Sequence, residues 1–430
     1  AATLASLSTS SAIESAVRKL SMRSSSLGMV TPKGCDGKGP PMSANPILYA
    51  QARALEHAAD LPRVRPLRVH ALAFPLHAVE LSATVEERGP FDLLDRYVGL
   101  TIAEGGFTRL QDIATFLGVS EHMVNRVLRF LGGIGHLEGA ADALSLTERG
   151  LRAVHNDRRY TEKQERLRLF FDGVHCEPLR TEHYAHGVRI LDANAAREQR
   201  TFRLLPETCG FRPGAVQALA QRPDRGEYDL PDELLNLEVL EVGRAFLPCY
   251  VVRAHDGRQL TTLVYSGTAE LRDRHLEDIL NAWPTSTRVL EGADSEQPRE
   301  HFAGWMRERE INPDALTWVD HQSFRLNLPP SRYSDREGRG KGVFSLSMLG
   351  SFVAPRSHVL QLWCIDAPTR TKAVLSRALG YATAAPRTAA EVTAFLERVN
   401  RQLEPNRQIT INDLRQHARK VGYGTLDFKE

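Results

Sequence analysis

Between residues 62 and 88 apolar and polar positions alternate, through Val69, Ala71, Ala73, Val79, Leu81 and Val85. A period of two puts those side chains on one face of an extended chain, which predicts one or two short strands. After Gly89 the period changes. Pro90-Phe91 opens a helix with Leu94, Tyr97, Val98 and Ile102 on one face, and further on Val124, Val127, Leu128 and Leu131 fall at i, i+3, i+4 and i+7. Gly132–Leu137 then ends that helix and starts a strand, Ala143–Leu146 gives the return strand, and Thr147 caps a last helix.

Beyond residue 155 the pattern predicts a charged helix from Thr161 to Phe171 and a loop-rich stretch to about residue 240. A hairpin follows, with strands Ala245–Ala254 and Gln259–Ser266 joined across Asp256-Gly257. Helices are predicted at 269–283, at 298–310 with Phe302, Trp305 and Met306 on one face, and at 369–382. Strands are predicted at 315–328, 342–353 and 358–366, and two further helices at 388–403 and 411–422. The expected fold is a multidomain α+β protein without regular βαβ alternation. Its expected parts are a disordered tail (1–45), lead-in strands (46–88), a helical module (89–155), a mixed α+β body (156–385) and a helical C-terminal segment (386–430).

Composition changes this picture little. The chain has 430 residues and a formal net charge of +2, so bulk charge makes no case for nucleic acid. Only 8 of its 55 basic residues are Lys. Arg suits phosphate and guanine, but a GC-rich genome explains the same bias. The five Cys are widely spaced and form no CxxC, which points to a reducing, cytoplasmic setting. No apolar run approaches a membrane span, so no membrane partner is expected. The tail is rich in Ser, Ala, Gly and Pro, and Met29 and Met42 are both plausible starts.

The segment Leu110–Arg129, LQDIATFLGVSEHMVNRVLR, carries the clearest motif. Ala114 is small where two helices would meet, Gly118 opens a turn, and Ser120 follows as an N-cap. Opposite the apolar stripe lie His122, Asn125, Arg126 and Arg129. Arg pairs with the two acceptors of guanine and Asn with the donor–acceptor pair of adenine. With the turn GVS, the run VNRVLRFL and the closing LTERG, residues 89–155 resemble the winged helix-turn-helix superfamily, especially its MarR-like and ArsR-like modules. The resemblance implies a DNA-binding fold in which Ser120, His122, Asn125, Arg126 and Arg129 meet the major groove. The wing, Glu138 to Asp142, departs from the pattern, with two acids and no base.

Other constellations carry less. His175, Cys176, His183, His186 and Cys209 match no metal-ligand spacing and read as ordinary loop residues. The loop Ser331–Gly342 holds Arg332, Arg336, Arg339 and Lys341 among glycines; with Arg109 these are candidate phosphate contacts, although a solvated or disordered connection is the favoured reading of the loop. The basic run Arg398, Arg401, Arg407, Arg415, Arg419 and Lys420 reads as a solvated helix face or an interaction tail. No HExxH, GxSxG or dinucleotide fingerprint is present and no cofactor is expected. A restriction-type nuclease core needs an acid two residues before Lys, and only Asp36-x-Lys38 and Asp427-x-Lys429 fit, both off any expected core strand.

The expected function is a bacterial, cytoplasmic DNA-binding protein with a regulatory role, the body serving as a sensor, homodimerisation or partner-binding unit. Two alternatives stay open: a non-enzymatic subunit of a DNA-processing or anti-phage assembly whose module docks protein, and an enzyme with a site in the body that no linear motif reveals.

Overall fold

The computed structural model describes residues 50–140, 142–268, 271–291, 298–319, 323–334, 343–426 and 428. The expected tail and the loop residues Arg336, Arg339 and Lys341 lie outside the described residues. The architecture is mixed α+β. No helix among the described residues is long and apolar enough to cross a membrane.

The expected short strands at 62–88 are one strand, β1 (Arg65–Gly89). At ~3.3 Å per residue its contour is about 80 Å. Two short strands, β2 (Leu137–Glu138) and β3 (Ser145–Leu146), pair with each other. The strand β4 (Arg159–Asp172) pairs antiparallel with β1 from Leu76↔Asp172 to Gly89↔Arg159. Two further short strands are β5 (Leu191–Asp192) and β6 (Arg203–Leu204). The long β7 (Leu234–His255) runs antiparallel along the other edge of β1, and β8 (Leu260–Tyr265) returns beside β7. The resulting order is β4-β1-β7-β5, with β6 beside β1 and β8 beside β7. The expected hairpin is present but shifted. Asp256 donates its backbone N–H to Gln259 O (3.1 Å), so the tight turn is Gly257-Arg258, with Gly257 at φ +92°.

The charged helix expected at Thr161–Phe171 is β4. Its Lys, Glu and Arg residues favour a helix locally, but Leu167, Leu169 and Phe171 alternate, and pairing with β1 satisfies the backbone. Arg168 stands opposite Glu80 in the register and pairs with it at 3.2 Å.

The middle of β1 is buried on both faces. Leu72, Phe74, Leu76 and Ala78 share a core with Leu247, Cys249, Leu276 and Leu280. Val69 and Ala73 face Tyr250, Tyr265 and helix α1 (Gln51–Asp60), which buries Ala54, Leu55 and Ala58. This two-sided burial explains why apolar residues fill both registers of the strand there.

Between β1 and β4 the chain forms α2 (Leu93–Ala103), α3 (Leu110–Leu117), α4 (Glu121–Gly133), the β2–β3 ribbon and α5 (Glu148–Asn156). Val98, Ile113, Val124, Val127, Leu131 and Leu144 form its core. The unit is clamped to the strand ends. Arg152 pairs with the buried Glu86 and Arg149 with Glu162, Arg96 meets Asp157 at 3.0 Å, and buried His136 lies 2.7 Å from Tyr160 O. Burial pushes the His136 imidazole down, so it is neutral at pH 7. The Gly of LTERG, Gly150, has a steric role: a Cβ there would overlap the His136 carbonyl.

The rest of the chain builds a separate core. Helix α6 (Arg274–Ala282) covers the large sheet. Then come α7 (Pro298–Glu308) and a sheet of β9 (Leu316–Trp318), β10 (Phe324–Asn327), β13 (Phe352–Val353) and β14 (Leu360–Trp363). Inside that run lies the parallel pair β11 (Tyr333–Ser334) and β12 (Phe344–Ser345). Helices α8 (Ala367–Ala384), α9 (Ala389–Leu403) and α10 (Ile411–Lys420) close it. Phe302, Leu326, Leu362, Val374, Leu396, Val399 and Leu414 share one apolar cluster. The C-terminal helices therefore pack into the core of the preceding residues, and are not a separate tail.

Replacing Gly150 by Ala is expected to destabilise the protein by about 1–3 kcal/mol, because the methyl has no room beside the His136 backbone. Urea unfolding of Gly150→Ala checks this; an unchanged midpoint contradicts the close packing of α5 on residue 136.

Candidate nucleic-acid interface

Helix α3 ends at Gly118, which at φ +67° adopts the left-handed conformation natural to Gly. Its N–H returns to Thr115 O (3.3 Å), and Val119 N–H to Ala114 O (3.1 Å). Ser120 then caps α4, its hydroxyl accepting from Met123 N–H at 3.4 Å. Thr147 caps α5 in the same way, accepting from Gly150 N–H at 3.1 Å.

The apolar stripe of α4 is buried as its spacing requires. Ser120, His122, Arg126 and Arg129 are exposed, while Asn125 is half-buried. His122, Arg126 and Arg129 lie at i, i+4 and i+7, so one ridge of the helix carries both guanidiniums. Arg126 also faces Asp95, whose carboxyl burial holds above its ordinary range. Arg109 is exposed immediately before α3. The β2–β3 ribbon exposes Glu138 and Asp142, so its tip presents carboxylates.

The surface of this unit also carries apolar groups, among them Tyr97, which was expected on the apolar face with Leu94, Val98 and Ile102 and is exposed instead. Leu93 is 70% exposed, Phe116 64%, Leu151 51% and Tyr97 49%, and Met123 and Phe130 flank the Arg126 ridge. Met123 and Phe130 stand four residues before and three after Val127, at the border of the buried stripe, a placement that helical spacing marks in the sequence.

The remaining candidates scatter. Arg332 lies far along the chain and donates to Glu310 O at 2.7 Å, just after α7. Arg398 pairs with Asp60 (2.9 Å), and Arg407 grips Asp413 through two bonds (2.9 and 2.6 Å). Cys176 is buried at φ +60°, with Arg212 N–H 3.4 Å from its Sγ, and His186 is exposed.

His183 alone of that cluster enters a polar centre, with a residue no local pattern connects to it. Its Nε2 lies 3.0 Å from Asp273 Oδ2 and its Nδ1 3.2 Å from Arg180 O. Both ring nitrogens thus face acceptors, the pattern of an imidazolium. Asp273 also takes the Ser266 hydroxyl on Oδ2 and caps α6 through Oδ1 to Leu276 N–H (2.9 Å). Both side chains are fully buried. Burial pushes the His183 pKa down, but the hydrogen bond and charge of Asp273 outweigh it and hold it above its ordinary value. Asp273, despite its burial, is held below the usual carboxylate range by the same pair. Glu182, His183 and Asp273 bring one ligand atom each within 4.8 Å of one another. With both Asp273 oxygens and both His183 nitrogens already engaged by protein, the arrangement reads as an internal ion pair that fixes the start of α6.

No protein-family model, no curated protein and no solved structure matches the chain.

The pair has a definite pH signature. A raised His183 pKa gives stability that is present below about pH 6.5 and lost as pH rises through the folded value. In Asp273→Asn the charge of Asp273 is gone and only the smaller contributions of Glu182 and of Arg180 O oppose burial, so the His183 pKa should fall. Histidine NMR titration of both proteins checks this; a His183 pKa unmoved by the substitution contradicts the pairing.

Proposed function

We propose that residues 89–155 are a winged helix-turn-helix and that the protein binds duplex DNA in a regulatory role, with α4 entering a major groove. The observation that carries this is the α3–Gly118–α4 turn, capped by Ser120, followed by a ridge that exposes His122, Arg126 and Arg129. Arg126 and Arg129 supply bidentate donors for guanine, and Asn125 a donor–acceptor pair for adenine at the edge of the same face. Phosphate contacts on this reading come from Arg109 and from the α4 arginines when they meet backbone instead of bases.

The carboxylates on the ribbon tip oppose the phosphate backbone, so this mode of binding relies on α3 and α4, and the ribbon is held away from the duplex. The exposed Leu93, Tyr97, Phe116, Met123 and Phe130 favour a second reading, in which the same unit docks a protein.

Binding of the full chain to duplex DNA across a salt series separates the two. On the first reading affinity falls steeply with salt. The triple change Asn125→Ala, Arg126→Ala, Arg129→Ala then weakens binding at least about tenfold and flattens the salt slope by about 2. Equal, weak binding by wild type and variant at low salt would sink the DNA reading and leave the docking one.

A further inference from the structure

Helix α4 carries a second row of side chains beside its arginine ridge. Met123, Arg126 and Phe130 fall at i, i+3 and i+7, so one guanidinium stands between two apolar groups along one flank. Both groups reach solvent, Met123 at 43% exposure and Phe130 at 39%. Met123 lies in the first turn, directly behind the Ser120 cap, the end of a recognition helix that meets base edges. Phe130 lies in the last turn, where the Arg159 guanidinium sits 5.7 Å over its ring.

The arginines of the unit divide into two sets. Arg96, Arg149 and Arg152 pair with Asp157, Glu162 and Glu86. Arg126 and Arg129 have no carboxylate within ion-pair distance among the described residues. An apolar pair that straddles an unpaired cation fits a hydrophobic protein surface poorly, because docking there would bury the charge without a counter-charge. The major groove offers both parts together: guanine N7 and O6 accept from the Arg fork, and C5 of a pyrimidine can carry a methyl group.

The spacing also fits. Met123 and Arg126 are about 4.5 Å apart along the helix, and successive bases stand about 3.4 Å apart along a strand, so the two side chains reach neighbouring bases. On the 5′ side of a guanine, a C5-methyl projects into the groove beside the guanine acceptors. There it packs against the guanidinium plane and the flexible thioether of Met123. We propose that α4 is specific for a C5-methylated pyrimidine immediately 5′ to a guanine, with Arg126 on the guanine, Met123 on the methyl group and Phe130 closing the flank. This makes Met123 a specificity-determining residue, and it rests on the reading that α4 enters a major groove. Thymine and 5-methylcytosine both present the group.

Selection of the full chain on randomised duplexes supplies the preferred site. That site is then made with thymine, uracil, 5-methylcytosine or cytosine at the pyrimidine position, each with its matching partner base. Thymine against uracil, and 5-methylcytosine against cytosine, differ only by the methyl group. The methylated member of each pair should bind about fourfold more tightly, the worth of burying one such group. The tighter of thymine and 5-methylcytosine assigns the source of the methyl. Met123→Ala changes an exposed side chain and should keep the wild-type circular dichroism. It should bind both members of each pair alike, at the level wild type shows for the unmethylated one. The inference alone is overturned if the selected site has no pyrimidine–guanine step, if wild type discriminates by less than about twofold, or if Met123→Ala still discriminates. If no duplex binds, or if binding ignores salt and the triple change at Asn125, Arg126 and Arg129, the DNA reading falls and this inference with it.

Discussion

The pairing of β1 on both of its edges is the constraint on which the other features rest. From Leu76 to Val85 the strand is hydrogen-bonded to β4 on one side and β7 on the other. A strand in that position cannot slip by one residue without turning Leu72, Phe74 and Leu76 out of one core and Val69 and Ala73 out of the other. Register shifts occur near Pro66, Glu80 and Thr84, where the strand bends without losing its partners. Because β1 and β4 run together as far as Gly89 and Arg159, the ends of the intervening helical unit are held side by side. That unit is thus mounted at the tip of a long hairpin, and the buried Glu86–Arg152 pair and His136 fix how it sits there.

Charge is sorted locally in a chain that is nearly neutral overall. Many arginines serve as packing groups: Arg325 lies over Trp363, Arg222 over Tyr228 at 4.4 Å, and Arg309 over Trp305 at 4.5 Å. The exposed ridge of α4, by contrast, holds Arg126 and Arg129 out to solvent. The contrast with the His183–Asp273 pair is instructive. There one cation and one anion are fully buried with every polar atom engaged, which favours structural rigidity over exchange with a ligand.

The sequence determined what depends on neighbours within a few residues. The α3–Gly118–α4 turn, the Ser120 and Thr147 caps, the buried stripe of α4 and the helices near 298–310, 369–382 and 388–403 all follow from spacings of three or four and from capping chemistry. The hairpin at 245–266 was legible to within one residue because Gly is the residue that tolerates its turn. Tertiary structure decided the rest. Residues 159–172 became a strand because β1 offered a long unpaired edge, which outweighs the helical preference of a Lys/Glu/Arg run. His183 met Asp273, and Asp60 met Arg398, across tens to hundreds of residues, through strand order and helix packing that no local period encodes. Local propensity fixes which faces are apolar, whereas partners distant in the chain are chosen only when those faces are buried together.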